Sequence, residues 1–160
     1  MYNRRYFNEK FLEDFKFAYR EKLYVNFALI DIDHFKRIND KYGHIAGDYC
    51  LEELSKIFRK HFHRVTDKIY RYGGEEFVIY YLSKKTEKFK EKLEELRKDV
   101  EETEIFYENK IVKFTISIGA ISKIPEDIDY IKFIKIADNN LYKAKETGRN
   151  KVVINKKETS

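Results

Sequence analysis

With 160 residues the chain has room for one domain with a substantial core. Hydrophobic residues make up 42% and charged residues 38%, which excludes a disordered or low-complexity chain and predicts a folded, highly charged globule. The net charge of +5 favours a polyanionic partner, but most lysines lie among glutamates, as in residues 84–104, so an ion-paired, solvated surface accounts for most of it.

In chain order, the first predicted element is a helix over residues 4–21 with Phe7, Phe11, Phe15 and Ala18 as its apolar stripe. Residues 25–31 form a near-continuous apolar run ending in acid, the pattern of a buried central strand. A short helix is expected over 35–42. Gly43 interrupts it, and a longer helix follows over 46–62 with Leu51, Leu54, Ile57 and Phe58 inward. Residues 69–72 and 77–81 read as two strands around Gly73-Gly74, a hairpin signal. Residues 84–104 predict one long amphipathic helix through Phe89, Leu93, Leu96 and Val100. Residues 111–121 alternate strictly and predict a single half-covered strand. A last helix over 129–145, stopped by Gly148, precedes a terminal strand over 151–154. The fold class is therefore α/β in the α+β sense: a sandwich with a mixed, mainly antiparallel sheet flanked by helices, of ferredoxin or polymerase-palm type. With no repeat or linker, one domain over 1–155 and a tail over 156–160 are expected.

Cys50 is the only cysteine, which excludes an internal disulfide and a thiolate metal cluster, and its apolar helical setting reads as core. No apolar run approaches the roughly 20 residues of a bilayer span and no signal-peptide pattern is present, so a cytoplasmic setting is the default expectation.

Two acidic clusters carry the chemistry. Asp31-Ile32-Asp33 ends the buried strand, and Glu75-Glu76 follows Gly73-Gly74 in the hairpin. Carboxylates at a strand end and in a hairpin can meet across neighbouring strands. Mg²⁺ is commonly held by one or two carboxylates together with substrate phosphates and water, and a pair of such ions can serve in-line displacement at phosphorus. Either cluster alone is as well explained by a capped strand or a polar turn.

The longer pattern is more specific. The run from Asp31 to Asp48, then Arg71-Tyr72-Gly73-Gly74-Glu75-Glu76-Phe77, then Ala137 to Lys145 and Gly148-Arg149-Asn150, closely resembles the GGDEF family of diguanylate cyclases in its GGEEF variant. The resemblance begins at Asn3-Arg4-Arg5-Tyr6-Phe7 and extends to about Ile154. It implies a nucleotide-cyclase-like palm in which two GTP molecules are condensed into cyclic di-GMP and two pyrophosphates. It also implies two Mg²⁺ or Mn²⁺ ions per active site, held by Asp31, Glu75 and the Ile32 carbonyl. Glu75 is the family's candidate base for the ribose 3′-hydroxyl, with Glu76 supporting the site. Asn39 and Asp48 match positions that recognise guanine, and His44 matches a further substrate contact. Lys36 and the backbone N–H groups around Phe35 match phosphate-binding positions, Lys36 also serving the transition state. Lys145 and Arg149 match contacts to the terminal phosphates. Asp33 is left as a supporting or structural residue. Arg64 and Asp67, ending ahead of Gly73 at the family's spacing, match an inhibitory site for the product.

The same resemblance implies a transient antiparallel homodimer for catalysis, since each domain presents one GTP. It further implies an upstream sensory domain, possible membrane attachment through such a region, and no nucleic-acid partner. The family's usual Asp-x-Leu-Thr-type turn has no counterpart ahead of Met1-Tyr2-Asn3. The alternative function is a non-catalytic receptor for GTP or cyclic di-GMP. A nucleic-acid-binding palm is disfavoured because no basic stripe with interleaved aromatics is present.

Overall fold

A computed structural model describes residues 4–85 and 88–155. The elements are α1 (Arg4–Glu21), β1 (Tyr24–Ile32), α2 (Phe35–Tyr42), α3 (His44–His61), β2 (Lys68–Arg71), β3 (Glu76–Ser83), α4 (Phe89–Glu102), β4 (Ile105–Tyr107), β5 (Lys110–Val112), β6 (Ile116–Lys123), α5 (Tyr130–Glu146) and β7 (Val152–Ile154). The main sheet has the order β2-β3-β1-β6-β7, antiparallel except for the β6–β7 pair. The mixed, mainly antiparallel sheet flanked by helices is the architecture that the sequence pattern predicts. The 156–160 tail and Asn3 lie outside the described residues, and no helix among the described residues is long and apolar enough to cross a membrane.

The alternation of side chains along β1 divides the molecule into two cores. Val25, Phe27 and Leu29 point to one face, where they join Phe7, Phe11 and Phe15 of α1 and Phe133, Ala137 and Leu141 of α5. Ala28, Ile30 and Ile32 point to the other, against Cys50, Leu51, Leu54 and Phe58 of α3 and Leu93, Leu96 and Val100 of α4. Phe11 packs on Phe27 and Tyr80 with ring centroids 4.9 Å from each. Full burial of each such ring is worth about 2–3 kcal/mol over leaving it in water. Cys50 belongs to the opposite core, with α3 and α4: it is fully buried, and burial pushes its thiol up to about 11.

One glycine decides how closely α5 approaches. A Cβ at Gly119 of β6 would collide with backbone atoms of Ala137 and Leu141, so the helix backbone rests directly on the strand. That contact carries the last turn of α5 to the end of β1, on the face that the period-two pattern assigns to Asp31.

Four expectations need correction. The helix predicted from residue 84 begins at Phe89. β3 continues through Ser83, whose hydroxyl donates to the Lys85 carbonyl at 2.8 Å in a bend, and residues 86–87 lie outside the described residues. The single strand predicted over 111–121 is two elements. Lys110–Val112 turns back onto β4 through Glu108 and Asn109, both with positive φ (44° and 64°), the conformation of a two-residue hairpin of type I′. β6 is also buried along most of its length rather than covered on one side, because α5 closes the face opposite α4. Finally, α3 starts at His44 rather than Ala46: Gly43, at φ 93°, ends α2 and immediately caps α3.

Candidate active site

At the end of β1 the chain must leave the sheet and enter α2, and His34 makes the turn in the left-handed region with φ 55°. Asp31 is opposite Glu76 on β3 and Ser117 on β6, while the Ile32 N–H donates to the Glu75 carbonyl at 3.4 Å. The two acidic clusters, far apart in sequence, are thus brought to one edge as expected. Arg71 shapes the hairpin tip. Its guanidinium donates to the Gly74 carbonyl at 2.7 and 3.1 Å and to the Gly73 carbonyl at 3.4 Å, holding the turn that presents Glu75.

Asp31 is 6% exposed. Its Oδ2 is ion-paired with Nζ of Lys145, whereas its Oδ1 is buried without a hydrogen-bond partner. Burial raises the Asp31 pKa above the ordinary carboxylate value; Lys145 opposes the rise, and Glu75 and Glu76 add to it. A buried carboxylate oxygen with no donor, facing further negative charge, fits a hard cation. Among the described residues no group of three or more His, Cys, Asp or Glu is arranged to hold a metal ion. That donor set suits Mg²⁺, which takes one or two carboxylates and completes its shell with phosphate oxygens and water.

Asp33, 4% exposed, has the opposite environment. Oδ1 accepts from the Ser117 hydroxyl at 2.6 Å; Oδ2 accepts from the Thr115 hydroxyl at 2.7 Å and from the Asn150 N–H at 2.9 Å. Arg149 lies 3.9 Å from Oδ1. Lys145 and Arg149, separated in sequence from both aspartates, therefore stand over Asp31 and Asp33 respectively. Sequence reasoning left out Thr115, Ser117 and Asn150 as partners of Asp33 and Arg71 as the hairpin clamp. Only Arg71 and Asn150 carried a signal, as members of the quoted motifs.

On the α2–α3 side, Gly47 provides the room. A Cβ there would fall on Oδ1 of Asn39 and within 3.2 Å of the Phe35 ring, so the half-buried Asn39 side chain packs directly against α3 one residue before Asp48. Asn39 and Phe35 are brought together at Gly47, the residue before Asp48. Asp48 also lines a cavity of about 460 Å³ with Leu51, Ser55, Arg59, Arg71 and Phe77. Lys36 is exposed on the first turn of α2, and His44 is exposed at the first position of α3.

Arg64 and Asp67 pair with each other, away from this edge. Asp67 Oδ2 accepts the Arg64 N–H at 3.0 Å, and its Oδ1 lies 3.1 Å from the guanidinium. The Asp67 side chain is 1% exposed and that of Arg64 41%; the Arg64 guanidinium lies 4.5 Å over the Tyr81 ring, which Lys92 of α4 also approaches at 4.8 Å.

Residues 1–151 match the family described as diguanylate cyclase, GGDEF domain. Over 133 residues the chain is 43% identical to diguanylate cyclase A of Treponema denticola, a match covering 82% of this chain and 35% of that protein. The chain spans about a third of the length of the first curated relatives it matches. Among solved structures, the active GGEEF domain of a diguanylate cyclase from Vibrio cholerae is similar with a TM-score of 0.87 at 32% identity, covering 98% of this chain and 99% of that one. The GGDEF domain of DgcB from Caulobacter crescentus, solved in complex with c-di-GMP, gives a TM-score of 0.88 at 28% identity over 95% of this chain and 90% of that one.

Proposed function

Since the chain belongs to the GGDEF-domain family of diguanylate cyclases, we propose that it condenses two GTP molecules into cyclic di-GMP and two pyrophosphates. In each half-reaction a ribose 3′-oxygen forms a bond to the α-phosphorus of the opposing GTP. The bond from that phosphorus to the bridging oxygen breaks, and pyrophosphate leaves with the electron pair. One domain binds one nucleotide, so two domains meet face to face for turnover.

The observation that carries this reading is the unpartnered, buried Oδ1 of Asp31 beside the Glu75 hairpin. Divalent ions at this edge, held by Asp31, Glu75 and the Ile32 carbonyl, would neutralise phosphate charge and lower the pKa of the attacking hydroxyl. Lys145 leaves Asp31 for the polyphosphate, joining Arg149, and Lys36 faces the same anion from α2. Asp48 accepts from the guanine N1–H and amine, and the Asn39 amide pairs with the base edge. Glu75 takes the 3′-hydroxyl proton in this reading, and Glu76, at the first position of β3, supports it. Arg64 and Asp67 serve as the product-binding site through which cyclic di-GMP slows the reaction. The receptor alternative is not favoured, because the relatives it would need to resemble are named as cyclases.

Product analysis after incubation with GTP and Mg²⁺, at protein concentrations that let two domains meet, tests the reading. Cyclic di-GMP and pyrophosphate are expected at a ratio of one to two. Glu75→Gln removes a charge at nearly constant volume and is expected to cut turnover by at least about a hundredfold while leaving the melting temperature unchanged. Near-normal turnover in the folded variant would remove Glu75 from the site.

A further inference from the structure

The turn that follows α5 is unusual in its backbone and in what holds it. Gly148, Arg149 and Asn150 have φ of 116°, 62° and 47°, three successive residues in the left-handed region. Only the first is glycine. Side chains rarely adopt this conformation unless their surroundings fix it. Here they do, on three sides. The Arg149 N–H donates to the Ala144 carbonyl at 2.9 Å, which closes the end of α5. The Asn150 N–H donates to Asp33 at 2.9 Å, across 117 residues of sequence. The Asn150 side chain accepts from Arg97 of α4 at 2.9 Å and donates to Glu101 of the same helix. Asn150 is therefore a junction joining the end of β1, the last turn of α5 and α4.

Reaching β7 does not by itself require a charged residue under this turn. Burying a carboxylate is costly unless it is fully hydrogen-bonded, and a neutral acceptor could take the same backbone N–H. What the charge of Asp33 adds is its effect on Arg149, 3.9 Å away. At that separation the guanidinium is drawn electrostatically to Asp33 but lies beyond hydrogen-bond distance, so Asp33 does not consume its donors. Four residues earlier, Lys145 is held over Asp31. The spacing between the two cations is thus set by one rigid turn, and that turn is fixed by Asp33 and Asn150.

We infer that Asp33 and Asn150 are positioning residues for the polyphosphate end of the substrate. Their tie fixes the turn over residues 147–150 on the strand end, so that Arg149 meets the terminal phosphates in register with Lys145, which the α5 contact at Gly119 holds beside Asp31. The inference rests on the nucleotide reading above.

The test compares ligands that do and do not have the phosphates concerned. Two variants cut the tie at different points. Asp33→Asn opposes an amide donor to the N–H and hydroxyl donors that the carboxylate now accepts. Asn150→Gly retains the left-handed backbone, which glycine adopts freely, and removes only the anchor to α4. Affinities are measured well below each variant's melting temperature, with Mg²⁺, for the α,β-methylene analogue of GTP and for GMP. The analogue cannot release pyrophosphate, so binding is read without turnover. The expected result is a loss of at least tenfold for the triphosphate analogue in both variants, with GMP affinity changed less than threefold. A general loosening of the fold would weaken both ligands alike. Equal losses for the two, or no loss for either, would overturn the inference while leaving wild-type nucleotide binding intact. A wild-type protein that does not prefer the triphosphate to GMP would instead overturn the nucleotide reading, and the inference with it.

Discussion

Asp31 and Asp33 leave the same strand two residues apart and are both nearly inaccessible, yet their surroundings differ in kind. Asp33 accepts three hydrogen bonds from Thr115, Ser117 and the Asn150 backbone, so that each oxygen is used. Asp31 has Lys145 on one oxygen and no hydrogen-bond partner on the other, and its pKa is raised mainly by burial. The first arrangement fastens a distant loop to the sheet. The second leaves one oxygen of the anion without a donor beside the Glu75 hairpin. Burial alone therefore says little about what a carboxylate does; the donors supplied to it decide.

The largest effect expected from this contrast is on Asp33. Replacing it by Asn removes a buried charge from a fully satisfied network and sets donors against donors, which should cost about 3 kcal/mol of stability. Urea denaturation gives the number directly if the slope of free energy against denaturant stays constant. A loss below about 1 kcal/mol would mean the network relaxes around a neutral side chain, and the description of Asp33 as a structural fastening would fail.

The corresponding change at Asp31 should have the opposite sign. Asp31→Asn removes a charge whose raised pKa shows that its environment, in sum, disfavours ionisation. Lys145 would lose its partner, but its side chain is 28% exposed and its ammonium can turn to water. A gain of about 1 kcal/mol is expected in the metal-free protein, the common pattern where function keeps a strained group in place. Thermal melts in the presence of a chelator measure it. A loss of similar size would show that the Asp31–Lys145 pair is a fastening like that of Asp33, and the contrast between the two carboxylates would collapse.

How much of this was legible in the sequence follows from how local each signal is. The meeting of Asp31 with the Glu75 hairpin was legible because an apolar run ending in acid and a Gly-Gly turn each mark a strand end. Asn39 and Asp48 came from the family resemblance, and the room for Asn39 against α3 comes from Gly47, whose importance no local pattern announces. The donors to Asp33 were not legible, because Thr115, Ser117 and Asn150 become its neighbours only once β6 and the turn after α5 are in place. Lys145 read as a cation at a helix end; its landing on Asp31 depends on the backbone contact at Gly119. The β4–β5 hairpin was missed for a different reason. Glu108 and Asn109 adopt the two left-handed conformations of the turn without glycine, so alternation across residues 111–121 looked like one strand.

A third carboxylate tests whether donors still matter where water competes. Asp99 of α4 sits with His61 Nε2 at 2.7 Å, Lys60 Nζ at 3.4 Å and the Thr103 hydroxyl donating at 3.3 Å, so it links α3 to α4. Burial is the largest influence on it and acts to raise its pKa. The hydrogen bonds and charges of His61 and Lys60 together outweigh burial, and the pKa ends below the ordinary carboxylate value. A depressed pKa means the folded protein binds the Asp99 proton less readily than the unfolded chain does. Its stabilisation is therefore fully present above the unfolded value, about 4, and is lost as pH falls through the lower folded value. Because the side chain is 25% exposed and water screens the charges, Asp99→Asn should cost only about 0.5 kcal/mol at neutral pH. The gap between wild type and variant should begin to narrow below about pH 5 and close further into acid. Urea titrations of both proteins across that range decide it. A gap that stays constant would mean the α3–α4 link is made by the neutral hydrogen bonds alone, with the ionised carboxylate contributing nothing measurable.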